Sequence, residues 1–210
     1  MQITSKQYMD YIAVVTKKIE ASKDYVSQLD AITGDGDHWA NMNMGFQKLV
    51  ESRAELEALP LGDLFKKIGM LIMSTVGGSS GVLYGSAYIG AAKTIGSAQV
   101  MDINLLCAVL DAKLTAIMAR GNAKPGFKTM IDALAPAVAN LKAALESGAD
   151  EKTALTAMKK GAVAGMESTK AMEAVKGRAT YQANKGVGHL DPGAVTMCYQ
   201  LETLADCLGA

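Results

Sequence analysis

Gly77-Gly78-Ser79-Ser80-Gly81-Val82-Leu83-Tyr84-Gly85-Ser86-Ala87-Tyr88-Ile89-Gly90-Ala91-Ala92 is the stretch on which the reading of the fold turns. Beyond its glycine-serine start it predicts a helix in which Gly81, Gly85, Ala87, Gly90 and Ala91 leave little side chain. Glycine inside a helix costs about 1 kcal/mol relative to alanine. So many of them imply that something packs closely against this helix, either a neighbouring helix or a ligand.

Helical periodicity continues on both sides of it. Tyr8, Ile12, Val15 and Ile19 recur at three- and four-residue steps on one face, and Thr4 with Gln7 forms a capping box ahead of them. A second helix follows the Asp35–His38 turn, through Met44 and Leu49 to about Leu56. Pro60 breaks the chain, and Asp63 caps a third helix with Leu64, Ile68 and Leu71 facing inward. The glycine-rich helix is the fourth. Asp102 opens a fifth that ends near Gly121. A sixth runs from about Lys128 to Glu146 with a bend at Pro136, and Asp150 caps a seventh reaching about Val175. Asp191 caps the last, with Pro192 at the favoured first position. Strand signals are weak throughout. The expectation is an all-α barrel or bundle of about eight antiparallel helices, one domain over residues 1–210, with any ligand on the loops at one end.

Composition excludes several classes of function. The 21 Lys+Arg balance the 21 Asp+Glu, which argues against a nucleic-acid partner and against a charge-driven membrane surface. The three cysteines, Cys107, Cys198 and Cys207, form no CxxC pair, so neither a disulfide framework nor a thiolate zinc site is indicated. There is no signal-peptide pattern and no apolar run near 20 residues, so a cytoplasmic location with no membrane span is expected.

Three aspartates, Asp30, Asp35 and Asp37, lie within eight residues around the turn Thr33-Gly34-Asp35-Gly36-Asp37-His38. Carboxylates repel one another, so gathering them calls for a cation. An oxygen-only ligand set suits magnesium or calcium; a solvated acidic turn is the plain alternative. An EF-hand does not fit, because the sixth and twelfth positions counted from Asp35 are Ala40 and Phe46. Zinc is disfavoured because the chain has only His38 and His189.

Three further stretches could meet phosphate. Backbone amides of Gly77–Gly81 at a helix start, with the hydroxyls of Ser79 and Ser80, could cradle its oxygens. Gly121–Thr129 nearly reads as a Walker loop, but Phe127 separates Gly126 from Lys128 and no strand precedes it, so a P-loop is rejected. Arg178, in the glycine-rich segment after Lys176-Gly177, could clamp phosphate. Taken singly, each also reads as an ordinary turn or surface loop.

In combination these motifs resemble one family. Asp30-x4-Asp35-Gly36-Asp37-His38-x2-Asn41-Met42, Gly77-Gly78-Ser79-Ser80-Gly81, Arg120-Gly121 with Lys128-Thr129-Met130, Gly177-Arg178-Ala179, and Gly188-His189-x-Asp191-Pro192-Gly193-Ala194 occur in its order. The chain resembles, over nearly its whole length, the L subunit of bacterial phosphotransferase-system-dependent dihydroxyacetone kinase. The resemblance implies a barrel of eight helices with ADP at one end and two Mg2+ ions on Asp30, Asp35 and Asp37. It implies His38, Trp39, Ala40, Asn41, Ser79 and Ser80 around the phosphates and metals. Gly121, Met130, Asp191, Pro192 and Gly193 would surround adenine and ribose, and Arg178, in the catalytic role, would reach the phosphates.

The implied partners are a K subunit carrying dihydroxyacetone and an M subunit that rephosphorylates the bound ADP. ATP-dependent relatives fuse the K and L parts, and the absence of a K part here points to the phosphotransferase-dependent type. A nucleotide-binding regulatory module without turnover, or a subunit of an ATP-dependent kinase for another ketose, remains compatible with the same residues. Two departures from the family pattern stand out. Trp39 occupies a position usually held by glycine, and is expected to be exposed in the free chain and covered by a partner. Tyr181–Gly186 lacks the usual Gly-Glu-Arg run, which bears on partner and ketose choice.

Overall fold

A computed structural model describes residues 1–209. Among them are ten α-helices: α1 (Ser5–Ala21), α2 (Lys23–Thr33), α3 (His38–Glu51), α4 (Arg53–Glu57), α5 (Leu61–Thr75), α6 (Gly78–Ile95), α7 (Ile103–Gly121), α8 (Met130–Glu146), α9 (Glu151–Ser168) and α10 (Pro192–Gly209). Two 3-10 turns, Thr169–Ala171 and Arg178–Tyr181, lie between α9 and α10. No sheet forms among the described residues; one antiparallel bridge pairs Ile3 with Met101. The fold is all-α, in the class of helical bundles. None of the described helices is long and apolar enough to cross a membrane.

The eight expected helices become ten through single-residue breaks at Ser22 and Ser52. At Ser22 the hydroxyl donates to the Ile19 carbonyl at 2.7 Å, the local competition with the helix ladder that serine offers. Several ends also differ from expectation. Pro60, not Asp63, stands at the start of α5, and Leu71 is only partly buried while Ile72 faces inward. α8 starts at Met130 because Thr129 and Asp132 form its capping box and Lys128 has φ of 59°, which no helix accommodates. α9 stops at Ser168, not near Val175; a 3-10 turn follows over Thr169–Ala171, whose Thr169 carbonyl accepts both the Met172 amide at 3.2 Å and the Lys128 ammonium at 2.5 Å. The caps at Thr4/Gln7, Asp102, Asp150 and Asp191 are as read from the sequence.

The chain divides into two compact units, Met1–Lys17 with Asn41–Asn122, and Lys18–Ala40 with the chain from Ala123 onward. In the first, α6 packs against α5 and α7, and its small residues are what allow it. A Cβ on Gly69 would lie 2.9 Å from the Gly85 carbonyl oxygen, and one on Gly90 would lie 3.1 Å from Ala116 Cβ. The close partner read from the sequence is therefore helix backbone. Tyr8, Phe65 and Tyr88 stack beside this seam, with the Tyr8 and Phe65 ring centroids 4.4 Å apart.

In the second unit α10 packs on α8, α9 and α2, and α8 on α9. The α8–α9 approach is tight at Gly161 and Gly165; a Cβ on Gly165 would meet the Asp132 carbonyl oxygen at 2.0 Å. Val26, Leu29 and Val195 form a buried cluster with Trp39, Met166, Leu190 and Tyr199 against it.

Candidate functional site

The second unit gathers the aspartates. Asp30 is buried near the end of α2, and Asp35 and Asp37 are exposed on the turn that follows; one carboxylate oxygen from each lies within 4.8 Å of the others. The turn folds this way for local reasons. Gly34 N donates to the Asp30 carbonyl at 2.5 Å, and a Cβ at Gly34 would sit 2.2 Å from Asp30 Oδ1. Gly36 has φ of 79°, the left-handed region that suits glycine. Asp30 Oδ2 then accepts the His38 amide at 2.9 Å, which ties the buried carboxylate to the first residue of α3.

Arg178, on the exposed 3-10 turn, reaches in with its guanidinium 2.6 Å from Asp35 Oδ2. Gln182 Nε2 donates to the Ile32 carbonyl and fastens the same segment to the end of α2. The group carries three carboxylates against one guanidinium. A cluster of that sign with oxygen-only donors fits a hard divalent cation.

The His38 ring is tied to α10: Nε2 is 2.9 Å from Thr196 Oγ1. Burial holds its pKa below the usual histidine value, against the opposing pull of Asp30 and Asp37. Trp39 departs from expectation. It is partly buried, its indole donates to the Ile19 carbonyl at 2.8 Å, and Lys23 Nζ stands 5.2 Å from its ring centroid. It anchors the first turn of α3 to the end of α1, where a glycine could do neither. Ala40, next to it, is exposed.

The expected base and ribose residues come together in the same unit. A Cβ on Gly193 would be 3.7 Å from Met130 N and 3.0 Å from Asp191 Oδ2, so Met130 and the Asp191-Pro192-Gly193 turn are neighbours. Asp191 caps α10 through Ala194 N at 2.7 Å. Burial pushes its carboxyl up to about 7; Asp132 and Asp30 push the same way, while the Ala194 amide and Lys128 oppose.

The remaining predicted residues belong to the first unit. The Gly77–Ser80 loop lies against Asn41, whose Oδ1 would be 2.7 Å from a Cβ on Gly77. α6 starts at Gly78 (φ 63°) with no side-chain cap, leaving its first amides and the hydroxyls of exposed Ser79 and partly buried Ser80 for another acceptor. Gly121 closes α7, followed by left-handed Asn122.

Sequence reasoning missed Thr196, Gln182 and Thr169 as supports of the site. All three act through hydrogen bonds to residues distant along the chain, Thr196 to His38, Gln182 to Ile32, and Thr169 to Lys128 and Asp191, and no spacing rule announces such bonds. Lys128 was visible inside the rejected Walker pattern and in the Lys128-Thr129-Met130 motif, but its burial and its partners were not.

A carboxylate triad with an arginine on it has the donor chemistry found in metal- and phosphate-handling helical proteins. The comparisons narrow this class. The DAK2 domain matches residues 32–206. The ADP-binding subunit DhaL of the PEP-dependent dihydroxyacetone kinase of Escherichia coli (strain K12) is 33% identical over 98% of this chain and 98% of its own. The corresponding subunit of the PTS-dependent enzyme of Lactococcus lactis subsp. lactis is 35% identical over 97% of this chain and 98% of its own. The dihydroxyacetone kinase of C. freundii, solved with AMP-PNP and Mg2+, superposes with a TM-score of 0.76 at 26% identity, covering 94% of this chain. This chain spans 33% of that longer kinase. The chain belongs to the DhaL family, the ADP-binding subunits of phosphotransferase-system-dependent dihydroxyacetone kinases.

Proposed function

We propose that this chain holds a magnesium-bound ADP as a resident coenzyme and serves as the nucleotide subunit of a dihydroxyacetone kinase driven by a phosphotransferase-system protein. The observation that carries this is the triad Asp30, Asp35 and Asp37, drawn within 4.8 Å and faced by Arg178, in a chain of this family. Residues 1–210 work as one nucleotide-binding domain. The two partners are a K subunit presenting dihydroxyacetone and a phosphorylated M subunit as donor. Cytoplasmic action follows from those partners.

Charge supports two ions. Three carboxylates carry about −3 and a diphosphate about −3 more; two Mg2+ and Arg178 bring the sum to about −1, whereas one ion leaves an excess that a partly buried site does not tolerate. The metals supply charge neutralisation on the transferring phosphoryl group. The chain's own residues do the rest. Asp30 fixes the metal-facing turn to α3 through the His38 amide. Arg178 is free on its exposed turn to exchange Asp35 for phosphate oxygens. Met130 and Asp191–Gly193 form the base and ribose surroundings. Trp39 and Ala40 shape the start of α3, while Asn41, Ser79, Ser80 and Gly121 are assigned to nucleotide by the family likeness. None of these residues is placed to deprotonate a sugar hydroxyl, and that base is expected on the K subunit.

The test loads labelled ADP onto the protein and chases it with cold ADP or ATP. K subunit and dihydroxyacetone are then supplied with either ATP or phosphorylated M subunit. Retained label with product only from the phosphoprotein is the expected result. Fast exchange with product from ATP makes this an ATP-dependent ketose kinase subunit. Tight ADP with no product from either donor makes it a binding module without turnover.

A further inference from the structure

Lys128 takes no part in the reading above, yet its setting is unusual. It is buried, and its backbone has φ of 59°, a conformation non-glycine residues adopt only when their surroundings impose it. Buried lysines are rare unless paired. Here the ammonium donates to two backbone carbonyls, Thr169 at 2.5 Å and His189 at 2.6 Å. The lysine stem is closely covered: a Cβ on Gly186 would lie 3.1 Å from Lys128 Cε.

Two more bonds complete the knot. The Asp191 amide donates to Thr169 Oγ1 at 3.0 Å, and Gly188 N to the Lys170 carbonyl at 2.8 Å. One ammonium therefore joins three stretches of the second unit: the start of α8, the turn after α9, and the segment entering α10. The first presents Met130 and the last presents Asp191-Pro192-Gly193.

We propose that Lys128 is a positioning residue for the base-and-ribose end of the nucleotide, setting the gap between Met130 and the Asp191–Gly193 turn through the Thr169 and His189 carbonyls. Its ammonium is committed to those two carbonyls and not to the Asp30, Asp35 and Asp37 carboxylates, so its influence is expected on the adenosine part of the ligand. An arginine does not replace it well, because a planar fork cannot converge on two carbonyls in the space one ammonium fills. The inference rests on the nucleotide reading given above.

The experiment separates the two ends of the ligand. Affinities of the full chain for ADP and for pyrophosphate, each with Mg2+, are measured by titration calorimetry for wild type, Lys128→Met, Lys128→Arg and Lys128→Gln. Helical circular dichroism is recorded on the same samples. Losing hydrogen bonds from a charged donor weakens ADP binding about tenfold or more in Lys128→Met, while pyrophosphate affinity stays within about twofold. Lys128→Arg recovers ADP only in part. In Lys128→Gln the amides of Gly188 and Asp191 exchange with solvent faster than in wild type.

Equal loss of both ligands, or unchanged ADP affinity in a folded variant, overturns the proposal. So does failure of all three variants to fold, which makes Lys128 a stability residue only. Wild-type protein that binds neither ligand overturns the nucleotide reading itself and this proposal with it.

Discussion

The two compact units use their interiors differently. Among the described residues, eight of the ten buried polar or charged ones belong to the second unit, including all three that carry charge, Asp30, Lys128 and Asp132. The first unit buries Ser5 and Thr16 and otherwise fills its interior with aliphatic side chains, close helix backbones and the Tyr8–Phe65–Tyr88 stack. Burying charge is costly unless it is paired or put to use. The first unit is built to pack; the second retains polar groups that organise the carboxylate triad and the turn at Asp191. Even the first unit has one exception. Lys113 Nζ lies 3.7 Å from the Tyr88 ring centroid and 3.2 Å from the Tyr8 hydroxyl.

The sharpest way to break this contrast is to remove charge from the triad. Asp30→Asn is expected to lower reconstituted phosphoryl transfer by about 100-fold or more, since it takes charge from the metals at the reacting phosphate. Helical circular dichroism should be unchanged. Asp35→Asn and Asp37→Asn should follow. Near-normal transfer in all three returns the cluster to a solvated turn.

Packing is the next lever. Gly165→Ala puts a methyl where the Asp132 carbonyl stands, 2.0 Å from the added Cβ. It should destabilise the protein by about 1–3 kcal/mol or more by forcing α8 and α9 apart. Denaturant midpoints check this, and an unchanged midpoint would mean that the α8–α9 seam is looser than its backbone distances say.

Lys113 sharpens the contrast through pH. Burial pushes its ammonium down to about 7 from an ordinary value near 10.5. Because the folded pKa is lowered, the unfolded chain binds more protons between pH 7 and about 10.5. Wild-type stability should therefore gain from this group as pH rises through that window. Lys113→Met should be about 1–2 kcal/mol more stable than wild type at pH 7, with the gap closing toward about pH 10.5. A constant gap across the window would show that the lysine keeps its charge, held by the aromatic rings.

Much of this was legible in the sequence, and the reasons differ by element. Helix class and caps could be read because Thr4, Asp102, Asp150 and Asp191 act within three residues of themselves. The small-residue face of α6 announced close packing, though not against which backbone. The aspartate triad was visible because its members are at most seven residues apart. The breaks at Ser22 and Ser52 were hidden, since serine tolerates a helix as readily as it interrupts one. The early end of α9 was hidden, and the turn that follows it is tied to Lys128, 41 residues away. Trp39 misled for the same reason: its exposure was argued from a departure in one position, whereas its partner, the Ile19 carbonyl, lies 20 residues back.

Trp39 gives the smallest expected effect. As the sole tryptophan it should resist iodide quenching in the isolated chain. Trp39→Phe should cost about 0.5–1.5 kcal/mol for the lost indole hydrogen bond. Full quenching of the free protein would restore the view of an exposed, partner-facing residue.

The central claim is that the carboxylates of the second unit hold a magnesium-bound nucleotide, and thermal unfolding tests it most directly. The purified protein is melted as isolated, after treatment with chelator, and after return of Mg2+ with ADP. Ligand at 100 times its dissociation constant adds about 2.7 kcal/mol. The account predicts that chelator lowers the melting temperature, that Mg2+ with ADP restores it, and that Asp30→Asn protein responds to neither. A melting temperature unmoved by chelator and by Mg2+ with ADP in the wild type would contradict it.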